Sequence, residues 1–208
     1  IKGAIWYQGE SNRGEGKLYL DKTRALVNGW RKVWNIDDLP YYLVQLAPYK
    51  YSGDEYSLPE IWEAQAAVPK AIPNTGYTVI NDIATLDDIH PPNKQDVGLR
   101  LANQALNRTY GLKEIEWSGP VYRSYKIENN KIRLHFDFAK GLRTRDGKSP
   151  DWFEICGEDG SYEKAQAVIE GETVVISAAT VPQPAGFRYA WHQLAVPNLI
   201  NHLGLPTG

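Results

Sequence analysis

Gly111 divides this chain into two kinds of sequence. Before it, short apolar runs alternate with longer stretches of helical spacing. Ala4–Tyr7, Tyr41–Leu46 and Thr75–Ile80 read as strands, and Leu18–Val33, Leu58–Ala71 and Gln95–Tyr110 as helices. Leu18, Ala25, Leu26, Trp30 and Val33 make the expected apolar stripe of the first helix, with Trp30 and Trp34 expected in the core. Pro59 suits the first turn of the second helix. Val97, Leu101, Ala105 and Leu106 share a face of the third, which Gly111 stops. Strand, helix, strand in this order argues for a parallel sheet with crossover helices. Beyond Gly111 the runs shorten. Val121–Ile127, Lys131–Phe138, Phe153–Cys156, Ala165–Ile169, Thr173–Ile176 and Phe187–Trp191 read as strands. Asn129-Asn130, Asp146-Gly147, Asp159-Gly160 and Glu170-Gly171 separate several of them, which suggests an antiparallel β-sandwich. The boundary falls between Gly111 and Pro120, giving an α/β domain over 1–113 and a β-rich domain over 114–208.

The 208 residues suit one large or two small domains. A formal net charge of -2 gives no reason to expect nucleic acid or an anionic membrane surface as partner. No apolar run is long enough to cross a bilayer as a helix. Cys156 is the single cysteine, so no intrachain disulfide forms. Seven Trp and thirteen Tyr suit large cores and carbohydrate-facing clefts alike. Ile1–Tyr7 reads as a strand already under way, with no initiator Met and no signal peptide, so the chain is expected to be a processed or excised piece.

Chemistry concentrates in two loops. Thr85–Lys94 contains His90, with Asp87 three residues and Asp88 two residues before it. A histidine titrates near neutral pH and can pass a proton, provided one ring nitrogen has an orienting acceptor and the other faces a nucleophile. Either carboxylate can fold back to the ring, and Pro91-Pro92 restrict the backbone of His90. The competing interpretation is a polar loop that caps the next helix. The second loop, Gln8-Gly9-Glu10-Ser11-Asn12, follows the first strand. In a parallel sheet it leaves from the same edge as the His90 loop, where ligands usually sit. Gln8 offers an amide for a developing oxyanion, and Gly9 a close backbone approach. Ser11 offers a nucleophile and Glu10 an orienting carboxylate; a helix cap at Ser11 or Asn12 is the plainer alternative. His135, His192 and His202 lack metal-ligand spacing and are expected to be structural or on the surface. No metal or other cofactor is expected. Asn107-Arg108-Thr109 fits a glycan acceptor pattern but lies in an expected helix.

Gly3–Asn12 resembles the second signature block of the sialate O-acetylesterases, members of the SGNH hydrolase superfamily. Trp30-Arg31, Gln45–Pro48, Glu63–Gln65 and Asp88–Lys94 follow in the family's order, and Ser118–Pro120, Phe153–Ile155, Arg188–Trp191 and Gly204–Pro206 extend it nearly end to end. The resemblance implies a flavodoxin-like, three-layer α/β domain of SGNH type joined to a β-sandwich-like module. It implies a serine esterase acting without metal on acetylated sialic acid, with His90 as the catalytic histidine. The superfamily spacing makes Asp87 the acidic partner, whereas relatives of this family often keep it at the position of Asp88. Gln8 and Gly9 match the loop lining the oxyanion site. The family's nucleophilic serine belongs to an earlier Gly-Gln-Ser-Asn block, and no copy of it occurs here. The nucleophile is therefore expected upstream of Ile1 rather than at Ser11, and the piece alone is expected to be inactive.

Two other functions compete: a non-catalytic carbohydrate-binding or scaffold piece, and the same ester chemistry on another sugar such as acetylated xylan. A sheet lacking its first strand is expected to self-associate or to bind a complementary N-terminal segment. Localisation is not encoded in the chain; the resemblance suggests a secreted, periplasmic or lysosomal protein.

Overall fold

A computed structural model describes all 208 residues. They form two compact units, one comprising Ile1–Trp117 with His192–Leu194, the other Ser118–Trp191 with Ala195–Gly208.

In the first unit, β1 (Ala4–Trp6), β2 (Tyr41–Val44) and β3 (Thr75–Thr78) make a parallel sheet in that order. Helices α1 (Leu18–Trp34), α2 (Ser57–Ala71) and α3 (Lys94–Arg108) cover it. The alternation within β2 sets the layers. Tyr41 and Leu43 pack with Val27 of α1 and Val68 of α2, while Tyr42 and Val44 face Val97 and Leu101 of α3. A strand buried on both faces carries no polar alternation, which is why Tyr41–Val44 is a continuous apolar run. Three layers around a parallel sheet are the flavodoxin-like arrangement that the family resemblance implied.

The buried row of α1 differs from the expected stripe. It is Tyr19, Thr23, Val27 and Arg31, whereas Leu18 and Val33 are 52% and 78% exposed and Ala25 is also exposed. Arg31 explains the shift. Its guanidinium donates to the Leu39 carbonyl at 3.1 Å and the Pro73 carbonyl at 2.6 Å, so a charged residue fills a buried position. Trp34 is exposed rather than in the core. Trp30 is half-buried and meets Trp6 edge-on at 5.5 Å. The inner face of α3 likewise includes Arg100 and Gln104 beside Val97 and Leu101.

The second unit is all β. Strands β4 (Val121–Glu128), β5 (Lys131–Asp137), β10 (Thr173–Ser177) and β9 (Gln166–Glu170) form an antiparallel sheet in the order β4-β5-β10-β9. A second sheet orders β11 (Gly186–Tyr189), β7 (Phe153–Cys156) and β8 (Glu163–Lys164). The short strands β6 (Arg143–Thr144) and β12 (Leu199–Ile200) pair separately. Ile132, Leu134, Phe136, Phe153, Ile155, Val174, Ile176 and Leu199 belong to one core. Asn201 fastens the end of this unit to its beginning. Its amide donates to the Ser118 carbonyl at 2.9 Å, while its oxygen accepts the N–H of Leu205 at 3.1 Å. Gly119 lies so close to this segment that a Cβ there would collide with the Pro206 carbonyl oxygen.

Candidate active site

The parallel register puts the loops after β1, β2 and β3 at one edge of the sheet. The loop after β1 is held by its own polar side chains. Gln8 donates from Nε2 to Asn12 Oδ1 at 2.7 Å, Asn12 donates to Glu15 at 3.0 Å, and Lys22 closes the relay on Glu15 at 2.6 Å. Glu15 and its neighbours from Glu10 form a 3₁₀ turn. Gly9 begins it at φ 144°, in the region that favours glycine, and a Cβ there would meet Leu46 Cδ1 and the Tyr19 hydroxyl at 3.3 Å. Tyr19 donates to the Gln8 carbonyl at 2.8 Å and fixes that residue from below. Glu10 accepts the Gly9 N–H at 3.0 Å, so this carboxylate serves the turn itself. Ser11 is exposed.

The loop after β3 starts from a buried clamp. Arg100 of α3 donates to both oxygens of Asp82 at 2.7 Å and to the Val79 carbonyl at 2.8 Å. Farther on, the Lys50 N–H reaches the Leu86 carbonyl at 3.1 Å and ties the loop to the one after β2. Asp88 Oδ1 accepts the backbone N–H of His90 at 2.8 Å, which fixes the main chain at the histidine. Neither ring nitrogen of His90 has a hydrogen-bond partner, and the exposed carboxylate of Asp87 has none. Three residues later Asn93 caps α3. Its Oδ1 accepts the Asp96 N–H at 3.1 Å while its Nδ2 donates to the Asp96 carboxylate at 2.7 Å, a reciprocal box that sets where the helix begins.

The two loops meet. Tyr7, Gln8, Glu10, Ser11, Ile89, His90 and Lys94 line one cavity of about 370 Å³. It thus contains a titratable ring, an amide and a hydroxyl. Gly9, Asp87 and Asp88 support the same loops without lining it. No hydrogen bond joins Ser11 to His90. Burial first, then the Glu10 carboxylate, pushes the Tyr7 hydroxyl above its ordinary range and Tyr51 up to about 12, so both remain protonated donors at neutral pH. Tyr7, Ile89 and Lys94 were not singled out from the sequence as lining residues. Tyr7 and Lys94 flank the two loops, and that adjacency was the available signal. Nor was the Asp82–Arg100 clamp; an arginine within the apolar row of α3, opposite an acid at a strand end, was its trace.

The other histidines lie elsewhere. His135 alternates with buried Leu134 and Phe136 as expected. His192 pairs with Glu55 at 3.3 Å, and His202 Nδ1 lies 3.0 Å from the Lys140 carbonyl oxygen. Asn107 spends its amide on the Ile115 carbonyl at 2.9 Å, within a helix, which disfavours a glycan there. No helix is long and apolar enough to cross a membrane.

Comparison with known proteins gives this geometry relatives. The crystal structure of a carbohydrate acetylesterase from Xanthomonas citri matches with a TM-score of 0.93 at 36% identity, over 100% of this chain and 49% of that one. The sialate O-acetylesterases of Rattus norvegicus and Homo sapiens are 30% and 32% identical, over 92% of this chain and 39% and 41% of theirs. The chain therefore spans about two fifths of the length of these relatives. The family model for carbohydrate esterases described as sialic acid-specific acetylesterases matches residues 1–107, the stretch that carries both loops of the cavity, and the chain belongs to that family.

Proposed function

We propose that this chain carries the histidine base of a serine-type esterase that removes O-acetyl groups from sialic acid. The observation that supports it is the single cavity lined by His90 together with the Gln8–Ser11 turn. In this mechanism a serine hydroxyl attacks the acetyl carbonyl while His90 accepts its proton. The second N–H of the Gln8 amide, with backbone amides, stabilises the oxyanion; such donors contribute about 3 kcal/mol each in other enzymes. The protonated ring returns its proton to the sugar oxygen as it leaves. Water, activated by the same ring, then attacks the acyl-serine and releases acetate.

The two aspartates divide their work. Asp88 is committed to the His90 backbone. Asp87, unbonded and exposed, is the carboxylate available to the ring. For the nucleophile, the family pattern favours a serine outside these 208 residues over Ser11. The absent Ser11–His90 hydrogen bond also favours a second reading for the piece by itself, carbohydrate binding without turnover.

The test is ester hydrolysis by the intact enzyme, with p-nitrophenyl acetate and O-acetylated N-acetylneuraminate. His90→Ala is expected to lower kcat by roughly 100-fold or more. An unchanged rate rejects the assignment. Ser11→Ala separates the two nucleophiles: full activity places the serine elsewhere, and loss equal to that of His90→Ala identifies Ser11. Hydrolysis of acetylated xylan in preference to the sialate substrate would keep the chemistry and reject the sugar.

A further inference from the structure

The cavity beside His90 contains one cation that ester chemistry does not require. Its titratable lining is Tyr7, Glu10, His90 and Lys94. Lys94 is the first residue of α3, exposed, with its Nζ 5.0 Å from the centre of the Tyr7 ring. Its ammonium has no ion pair and no hydrogen bond. Two acids, one on the same helix turn and one in the same cavity lining, are engaged elsewhere. Asp96 is bonded to Asn93 through both its carboxylate and its N–H, and Glu10 is turned back onto the Gly9 amide. The Asn93–Asp96 exchange also satisfies the Asp96 N–H in the first turn of α3.

An ammonium is a compact, strongly hydrated charge with three donors. Held against an aromatic ring at the edge of a cavity, it is placed to pair with an anionic group on whatever enters. The acetyl ester itself is neutral, so that anionic group lies on the rest of the substrate. Glu10 lines the same cavity and repels an anion from its own end, which directs the negative group toward Lys94. Tyr7 adds no charge beside the ammonium, because burial keeps its hydroxyl protonated.

We propose that Lys94 distinguishes acidic from neutral sugars by pairing with the carboxylate of a sialic acid whose acetyl ester lies toward His90. This rests on the esterase reading above and adds to it the residue that selects the substrate. The probes are N-acetylneuraminate and its methyl ester, which differ in that charge and in one methyl group. Each is titrated into the 208-residue chain and followed through the His90 ring and Lys94 side-chain resonances. The acid is expected to bind about tenfold more tightly, a difference of about 1.4 kcal/mol. Lys94→Gln abolishes the preference while the far-UV circular dichroism and melting temperature stay those of the parent, and Lys94→Arg retains most of it. Equal affinity for acid and ester, a preference that survives Lys94→Gln, or no saturable binding of either overturns the proposal. Hydrolysis by the intact enzyme distinguishes the two failures. A rate that depends on His90 but is indifferent to the sugar's charge rejects Lys94 alone, whereas a rate indifferent to His90 rejects the esterase reading.

Discussion

Replacing Arg100 with Met is expected to loosen the His90 loop from its root. The side chains of Arg100 and Asp82 are only 10% and 12% exposed. The substitution removes two charge-assisted bonds to the carboxylate and one bond to the Val79 carbonyl. It leaves a carboxylate in a buried site without its counter-charge, which costs about 3 kcal/mol, at the lower end for breaking such pairs. In a unit of about 120 residues that corresponds to a fall in melting temperature of roughly 12 °C. Most of the cost is the orphaned charge rather than lost attraction, so removing the charge too must restore part of it. The double variant Asp82→Asn/Arg100→Met is expected to lose about 1 kcal/mol, from the unpaired Val79 carbonyl. Urea unfolding followed by tryptophan fluorescence, applied to the parent, Arg100→Met, Asp82→Asn and the double variant, gives the coupling between the two sites. Hydrogen exchange in the single variant should rise first over residues 79–92. Stability within 1 kcal/mol of the parent for Arg100→Met, or a double variant weaker than the single one, would refute the reasoning.

Gly9→Ala forces a left-handed φ on a residue with a Cβ that meets Leu46 and Tyr19, and is expected to cost about 1–3 kcal/mol with the Gln8 resonances displaced; thermal melts and amide spectra check it. Asn93→Ala removes the cap of α3 and is expected to cost about 1 kcal/mol, read from the same melts. Hydrogen bonding from Lys22, then from Asn12, holds the Glu15 carboxyl below its ordinary 4.5. Its stabilisation is therefore present above pH 4.5 and lost as pH falls through the depressed value, and Glu15→Gln should flatten the acid limb of the stability–pH curve. The outer edge of β1 has no strand partner and carries Ile5 at 66% exposed, so the chain is expected to associate as its concentration rises, and Ile5→Lys to suppress this; a monomer throughout in sedimentation contradicts it.

What the sequence revealed depended on whether a residue's role was local. The apolar run of β2 and the alternation of β5 are short-range patterns, and they appear at the expected places. The inner faces of α1 and α3 were harder to read. Arg31 and Arg100 are buried because carbonyls and a carboxylate from other elements meet them, and helical periodicity carries no record of those partners. Strands β6, β8 and β12 have two residues each, too few for a period to show. In the cavity, the meeting of the two loops followed from parallel strand order alone. The commitment of Asp88 to a backbone amide, rather than to the ring, is a matter of a single rotamer.

The Asn201 fastening also bears on how the second unit is made. Contacts between Ser118–Gly119 and Asn201–Pro206 join residues more than eighty positions apart, the entropically costly kind of closure that slows folding. On a ribosome, the first strands of this unit emerge long before the segment that secures them. Its early sheet must therefore wait, incompletely fastened, until synthesis has passed Pro206, and a nascent chain stalled short of that point would be the form most exposed to proteases and chaperones.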